Sequence, residues 1–308
     1  MSIALAPDGT GAPAPAPAAL LPRRVRLSRA ALDRLAALTG TLLPWLDDTA
    51  PSPLARALGD APRTEPPASA SNAERELHSL GLLDPTGAPV AEVAAALAVL
   101  AGAEVSVRLD LGVRRPATPQ GVGRFTGWHL HGGDRITAIS MIGGPELELA
   151  WFADAHWQRE LAHLVAAPAD PDGESPAPAL TVPYELLLGS GAALRQQRPA
   201  VLADLLTRHR DRVLGPDGVP LAAAAAAEQV RLLHTAERGR LQVTVAGIIA
   251  GAAAGDRTLG LLTWALFPDG WRALLPLTVG GLPHVRVETV APLTLGVLVA
   301  RMVTGARS

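Results

Sequence analysis

The sequence predicts an α+β fold in which a central antiparallel β-sheet is flanked by helices and the arrangement is duplicated about a quasi-two-fold axis. The first observation is a repeat. A turn, an Ala-rich helix and an alternating strand occupy residues 83–109 and return in the same order at 214–245. The second is that further short strands, separated by Gly- and Pro-containing turns, follow each copy. Because strands joined by tight turns pair antiparallel, two related halves can share one continuous sheet. The matching turn positions are Leu83 and Leu214, Pro85 and Pro216, Gly87 and Gly218, Pro89 and Pro220, and Ala91 and Ala222.

The composition is that of a folded chain without thiol chemistry. Of its 308 residues, 48% are hydrophobic, which is enough for a sizeable core. Cysteine is absent, so disulfides, thiolate catalysis and Cys-based zinc sites are excluded. The formal net charge is −2 and the arginines are scattered, so we expect no nucleic-acid partner. No apolar run reaches the roughly 20 residues that a membrane helix needs, so we expect a cytoplasmic protein without membrane insertion.

The chain divides into a tail and one domain. Residues 1–22 are rich in Ala and Pro, and we expect a disordered tail there because such a sequence cannot form a packed element. The tail also lacks the basic region that precedes the apolar segment of a secretory signal. Residues 23–308 are predicted to form a single domain of two related halves, 23–166 and 178–304. An acidic, Pro-rich linker at 167–177 separates them.

In the first half, capping residues mark the helices. Ser28 begins a helix that ends near Gly40, and Asn72 begins one that ends before Gly81. A third helix follows the repeated turn, and a fourth follows Asp154. The strands predicted from period-two alternation lie at 25–27, 105–109, 128–130, 135–142 and 146–152.

The second half repeats this order. A strand at 180–182 leads into a helix at Pro183, and a helix at 198–213 precedes the second copy of the turn. Strands at 241–245, 257–267 and 285–290 and a final helix at 292–303 complete the half.

The sharpest metal candidate is His129 with His131. On a strand their side chains point the same way, and Asp134 follows in the turn. Imidazole combined with carboxylate is a zinc ligand set, so this trio is the basis of an alternative function as a metal-dependent hydrolase. The other interpretation is two histidines beside a hairpin turn.

Other catalytic signatures are weak. The segment Gly189-Ser190-Gly191 lacks the G-x-S-x-G spacing of a nucleophile elbow, and no histidine has an obvious partner. No dinucleotide fingerprint or phosphate loop occurs, so we expect neither a cofactor nor an enzyme.

A long exposed loop is predicted at residues 112–127, which contain several Gly, Pro and Arg residues. Arginine beside aromatic side chains is a composition that protein interfaces favour. The alternative is a flexible hairpin tip with incidental arginines. The candidate partner-binding residues are Arg114, Arg115, Arg124, Phe125 and Trp128.

The order of elements resembles the EspG-type, ESX (type VII) secretion-associated chaperones of actinobacteria. The segments that carry the resemblance span most of the chain after the tail. They are VRLSRAALDRLAAL, ELHSLGLLDPTGAPVAEVAAALAVLAGAEVSVRL, RGRLQVTVAGI, GLLTWALFPDGW and VETVAPLTLGVLVARMV. None is a catalytic motif, and the specificity comes from their order and their duplication.

The resemblance implies a cytosolic, non-enzymatic chaperone that binds the helical tip of a PE–PPE heterodimer and keeps this substrate soluble for export. It also implies contact through the loop after the second strand and through a C-terminal helical side, for which the helices within 198–233 and 292–303 both qualify. We expect a monomer or weak dimer that binds a PE–PPE-like or other helical client. A third possibility is an adaptor protein on the same scaffold with no secreted client.

Overall fold

The computed structural model of the chain describes residues 21–43, 70–114, 122–142, 146–166, 179–248 and 257–307. The described strands are β1 (Arg23–Ser28), β2 (Val105–Arg114), β3 (Val122–Gly132), β4 (Arg135–Ile142), β5 (Glu146–Ala153), β6 (Leu180–Pro183), β7 (Gly239–Gly247), β8 (Arg257–Phe267), β9 (Gly270–Val279) and β10 (Leu282–Val290). The described helices are α1 (Arg29–Thr39), α2 (Ala70–Ser79), α3 (Ala91–Ala101), α4 (Trp157–Leu164, after a 3₁₀ turn at Asp154–His156), α5 (Tyr184–Arg195), α6 (Pro199–Arg208), α7 (Ala223–Thr235) and α8 (Pro292–Arg307).

The ten described strands belong to one antiparallel sheet, in the order β1-β5-β4-β3-β2-β7-β8-β9-β10-β6. Counted outward from the central β2–β7 pair, the two sides have the same order, with each strand number raised by five on the second side. Val107 lies opposite Val245 in this central pair. The predicted α+β architecture with a duplicated antiparallel sheet is therefore confirmed. The half boundaries at 23–166 and 178–304 remain a prediction.

The repeated turn has the same backbone in both copies. Leu83 bridges Pro89 in the first copy and Leu214 bridges Pro220 in the second. Gly87 has φ +83° and Gly218 has φ +79°. This left-handed conformation costs glycine little, which explains why both turns carry glycine there.

The sheet buries its two faces differently. On one face, α4 and α8 cover the central strands, with Trp157 and Leu295 packed against Val107 and Val243. On the opposite face, α1, α2 and α3 cover the outer strands of the first side, around Leu97. Helices α5 and α7 cover the outer strands of the second side. We call the side covered by α4 and α8 the α4–α8 face, and the other side the opposite face.

The caps that position the first helices agree in part with the sequence. Ser28 caps α1, where its hydroxyl accepts a hydrogen bond from the Ala31 N–H, and Gly40 ends the helix in the left-handed conformation. The predicted cap Asn72 instead lies inside α2, which includes residues from Ala70. Helix α6 ends at Arg208 instead of residue 213, because Asp211 has φ +64° and cannot continue a helix.

The predicted loop at 112–127 is wrong at both ends. The ladder that begins with Val105 opposite His131 continues to Arg114 opposite Val122, so residues 112–114 and 122–127 are strand. Arg114 and Arg124 therefore lie on one side of a strand ladder instead of in a loop. Residues 115–121, with Arg115, lie outside the described residues, as do residues 1–20 of the predicted tail and the linker residues 167–177. In the described chain, no helix combines the length and apolar character needed to cross a bilayer.

Candidate partner-binding surface

A polar strip of sheet lies between the two helical groups of the opposite face. It is formed by alternate residues of the two central strands. They are Ser106, Arg108, Asp110, Gly112 and Arg114 of β2 and Arg240, Gln242 and Thr244 of β7. Because successive side chains alternate between faces, these positions all point away from α4 and α8. We call this strip the sheet floor.

The middle of the sheet floor is held by a charged network. Arg108 Nε donates to Asp110 Oδ2 at 3.0 Å, and Thr126 Oγ1 donates to Asp110 Oδ1 at 3.1 Å. The Arg108 guanidinium also lies 5.8 Å from the centre of the Trp128 ring, within reach of a cation–π interaction. These contacts fix partly buried polar groups in place.

The predicted binding residues do not form one patch. Arg124 lies opposite Gly112 in the ladder, so Arg124 and Arg114 share the sheet-floor side. Phe125 lies opposite Leu111 and points to the α4–α8 face, where it packs against the core. Trp128 is 6% exposed and belongs to the core beneath α1, α2 and α3. The predicted set is thus split between two faces and the interior.

The position of Phe125 depends on a glycine. A Cβ on Gly127 would lie 2.9 Å from Phe125 Cζ, so the ring covers the glycine position. This packing makes Phe125 mainly a structural residue at the edge of the core.

Helices α5 and α6 on the second side expose apolar side chains. The sequence predicts a helical contact surface only as a choice between segments 198–233 and 292–303. Tyr184 and Leu188 of α5 are 48% and 55% exposed, and Val201 of α6 is 43% exposed. None of the α6 residues is fully buried, although the helix reads PAVLADLLTR. Tyr184 and Leu188 are four residues apart and therefore share a helix side, a spacing that is visible in the sequence.

Helix α6 is attached to α5 by a close contact and by charges. A Cβ on Gly189 would lie 2.8 Å from Leu205 Cδ1, so α6 rests against the glycine of α5. Glu185 on α5 lies 3.3 Å from Arg208 Nη1 and 3.4 Å from His209 Nε2, at the end of α6. The exposed apolar side chains of α5 and α6 are thus carried by two helices in direct contact.

The metal candidate forms part of the core. His129 and His131 do point the same way, toward Trp157 on α4. Trp157 Nε1 donates to His129 Nδ1 at 3.1 Å, and the Trp157 ring stacks on His131 at 5.3 Å. Burial lowers the pKa of His129 to about 3, and the charge of Arg24 adds to this effect.

The predicted third ligand is engaged elsewhere. Asp134 lies 3.8 Å from Arg135, and the carboxylate near His131 Nε2 is Asp154, at 3.7 Å. No group of three or more His, Cys, Asp or Glu side chains that could hold a metal ion occurs among the residues that the structure describes. The two histidines therefore serve the packing of α4.

Two residues for which the sequence indicates no partner meet each other. Ser190 Oγ of α5 lies 2.9 Å from His234 Nε2 of α7. Ser190 is 0% exposed and also donates to the Leu187 carbonyl, so its hydroxyl is not open to a substrate. Burial, followed by Arg240 and Arg195, lowers the pKa of His234 to about 4, so the imidazole is neutral at pH 7. The pair joins two helices.

Comparison with known proteins identifies a solved structure with a similar fold. No protein-family model and no curated protein matches the chain. The solved structure of the Mycobacterium tuberculosis type VII secretion system chaperone EspG5, in complex with a PE25–PPE41 dimer, matches with a TM-score of 0.56 and 16% sequence identity. The match covers 91% of this chain and 96% of EspG5. The fold is EspG-like.

A second solved structure does not share this fold. A MaoC-like dehydratase from Phytophthora capsici aligns with a TM-score of 0.13 and 9% identity, over 88% of this chain and 97% of that chain.

Proposed function

We propose that this chain is a cytoplasmic chaperone of a type VII secretion system, which binds the helical tip of a PE–PPE-like heterodimer and keeps it soluble for export. The observation that carries this proposal is the exposed apolar surface of α5 and α6 on an EspG-like fold. The similar chaperone EspG5 has been solved with a PE25–PPE41 dimer, which supports the choice of client.

The apolar character of α6 is not required by the fold itself. Its counterpart on the first side, α2, carries Glu74, Arg75 and Glu76. Arg34 of α1 donates to Glu74 Oε1 at 2.5 Å, so α2 is tied to its neighbour by charge. Exposed apolar side chains cost solubility unless a partner covers them, which favours a binding role for the second side.

The matching chemistry of the client explains how a chaperone would act here. An apolar helical tip aggregates when it is left in water, because its apolar surface associates with other copies. Covering that tip with Leu188 and Val201 would remove apolar area from water on both partners. Each fully buried aliphatic side chain contributes about 1.5–3 kcal/mol relative to exposure.

Co-expression tests the proposal. The chain and a PE–PPE-like heterodimer from the same genome are produced together, and the soluble fraction is analysed by size-exclusion chromatography with light scattering. We expect a 1:1 complex between the chain and the heterodimer. A heterodimer that is equally soluble with and without the chain would contradict the chaperone function.

Charge substitutions locate the contact. Leu188→Asp combined with Val201→Asp should weaken binding at least about tenfold, because each carboxylate would be buried against an apolar tip. Leu42→Asp combined with Leu80→Asp is the matched control, since both leucines are exposed on the first side of the sheet, at 79% and 39%. Equal binding by both variants would remove α5 and α6 from the contact surface.

A further inference from the structure

Arginines from both sides of the sheet lie at one end of the sheet floor. Arg124 on β3 and Arg240 on β7 both lie opposite Gly112 of β2, one on each flank. In the next row, the Arg114 N–H donates to the carbonyl of Arg238 at 2.7 Å. Neighbouring strands are about 4.8 Å apart, so Gly112 leaves a gap without a side chain, roughly 10 Å wide, between Arg124 and Arg240.

Helix α5 brings a further arginine to the same end. A Cβ on Gly191 would lie 2.9 Å from His234 Cε1 and 3.4 Å from Arg195 Nη1, which places Arg195 beside His234. Arg240 and Arg195 both contribute to the lowered pKa of His234, after burial. Arg195 and Arg240 therefore both lie near His234, which places two guanidinium groups at this end of the floor.

Two carboxylates in this part of the sheet are held by arginines. Glu237 binds Arg240 through two contacts, at 2.9 Å and 2.6 Å, and so holds the guanidinium in one orientation. Asp110 is held by Arg108 and Thr126 further along the floor. Arg114 and Arg195 are both exposed at the surface.

We infer that these arginines bind carboxylates on the client, next to the apolar tip that α5 and α6 cover. This arginine cluster consists of Arg114, Arg124, Arg195, Arg238 and Arg240. The inference rests on the proposed function and adds the client's chemistry: its contact surface combines apolar side chains with Asp or Glu. Guanidinium groups suit carboxylates because their donors form a planar fork.

A protein partner fits better than a nucleic acid. Helix α5 carries Tyr184 and Leu188 as well as Arg195, so the basic and apolar surfaces are continuous along one helix. Arginine with aromatic and aliphatic side chains is typical of protein interfaces. The chain as a whole has a net charge of −2, whereas nucleic-acid-binding domains are usually strongly basic.

Charge variants of the cluster test the inference on the full chain with the co-expressed PE–PPE-like heterodimer. Arg114→Glu with Arg124→Glu should weaken binding at least about tenfold, and the wild-type complex should weaken when salt rises from about 50 to about 500 mM, because salt screens such pairs. The matched control is Arg26→Glu with Arg75→Glu, two exposed arginines on the edge strand β1 and on α2. Arg114→Gln with Arg124→Gln provides a milder pair if the Glu variants fold poorly.

The outcomes separate the two levels of the proposal. Charge reversal of the client's acidic residues to Arg should restore binding to the Arg114→Glu and Arg124→Glu variant. Wild-type binding that is indifferent both to salt and to these variants would overturn the arginine cluster and leave the chaperone function standing. A wild-type chain that binds no client would overturn both. Competition by a single-stranded oligonucleotide at a lower concentration than the client would also overturn a protein-specific role.

Discussion

A Cβ atom on Gly296 would lie 2.6 Å from the Cα atom of Gln158. The backbones of α8 and α4 are therefore in contact where the two helices cross over the centre of the sheet. Only glycine permits this approach, because any side chain at 296 would overlap the backbone of the other helix. The contact brings together the terminal helices of the two sides, one after β5 and the other after β10.

Gly296→Ala should lower the free energy of unfolding by about 1–3 kcal/mol, because the added methyl group forces α4 and α8 apart. Thermal unfolding followed by circular dichroism measures this as a decrease of about 2–4 °C per kcal/mol. Gly305→Ala on the same helix is the control, since a Cβ there meets nothing within 4 Å. The control should be neutral or stabilising by up to about 1 kcal/mol. Similar effects of the two substitutions would contradict the close crossing.

The stability of the α4–α8 face should depend on pH through His129. Its folded-state pKa of about 3 lies below the usual 6.5, so the unfolded chain binds a proton in this range and the folded chain does not. The stabilisation is therefore complete above pH 6.5 and decreases as the pH falls toward 3. The free energy of unfolding should fall by up to about 1.4 kcal/mol per pH unit in this window.

Denaturant unfolding between about pH 7 and pH 4 measures this slope. His129→Asn is the informative variant, because its amide oxygen can accept the Trp157 hydrogen bond but does not titrate. His234 contributes a slope of the same sign, so the variant should flatten the profile without abolishing the slope. A profile that is unchanged in His129→Asn would assign the acid sensitivity to other groups.

Secondary-structure elements are easier to predict from this sequence than contacts between them. The strands and helices follow from local periodicity, and the duplication follows from the two matching turns. The sheet architecture can therefore be predicted from the sequence. The meeting of Ser190 with His234 is not, because these residues are 44 apart in sequence and come together only through the packing of α5 on α7. No local spacing encodes such a contact.

The candidate surface is only partly predictable, for a specific reason. Glycine and arginine at residues 112–114 and 122–124 resemble a loop by composition, yet they belong to paired strands. Alternation assigns Arg124 and Phe125 to opposite faces as soon as the segment is recognised as a strand. The contributions of Arg238 and Arg240 depend on the β2–β7 pairing, which no short-range pattern specifies.

Phe125 and Arg114 should respond differently to substitution. Phe125→Ser should lower the free energy of unfolding by about 1–3 kcal/mol, because a half-buried ring that packs against the core is removed. Arg114→Ser should change it by less than about 0.5 kcal/mol, since the side chain is exposed at the end of β2. Denaturant titration of both variants measures the difference. Unchanged stability in Phe125→Ser would return this residue to the set of surface candidates.

The repeated turn predicts matched costs at two distant positions. In each copy the glycine N–H donates to a carbonyl three residues earlier at 3.0 Å, from Gly87 to Asp84 and from Gly218 to Gly215. Both glycines have positive φ, and a Cβ added at either would meet open space, so Gly87→Ala and Gly218→Ala each meet backbone strain alone. Each should cost about 1–2 kcal/mol, and the double variant should show the sum.

Asparagine at the same positions is the control, because it adopts the left-handed conformation more readily than alanine. Gly87→Asn and Gly218→Asn should therefore cost less than the alanine variants, in both copies alike, when thermal and denaturant unfolding are compared. A large cost in one copy and none in the other would mean that the two turns contribute unequally to folding despite their shared backbone. Equal costs would show that both sides of the sheet depend on the same glycine turn.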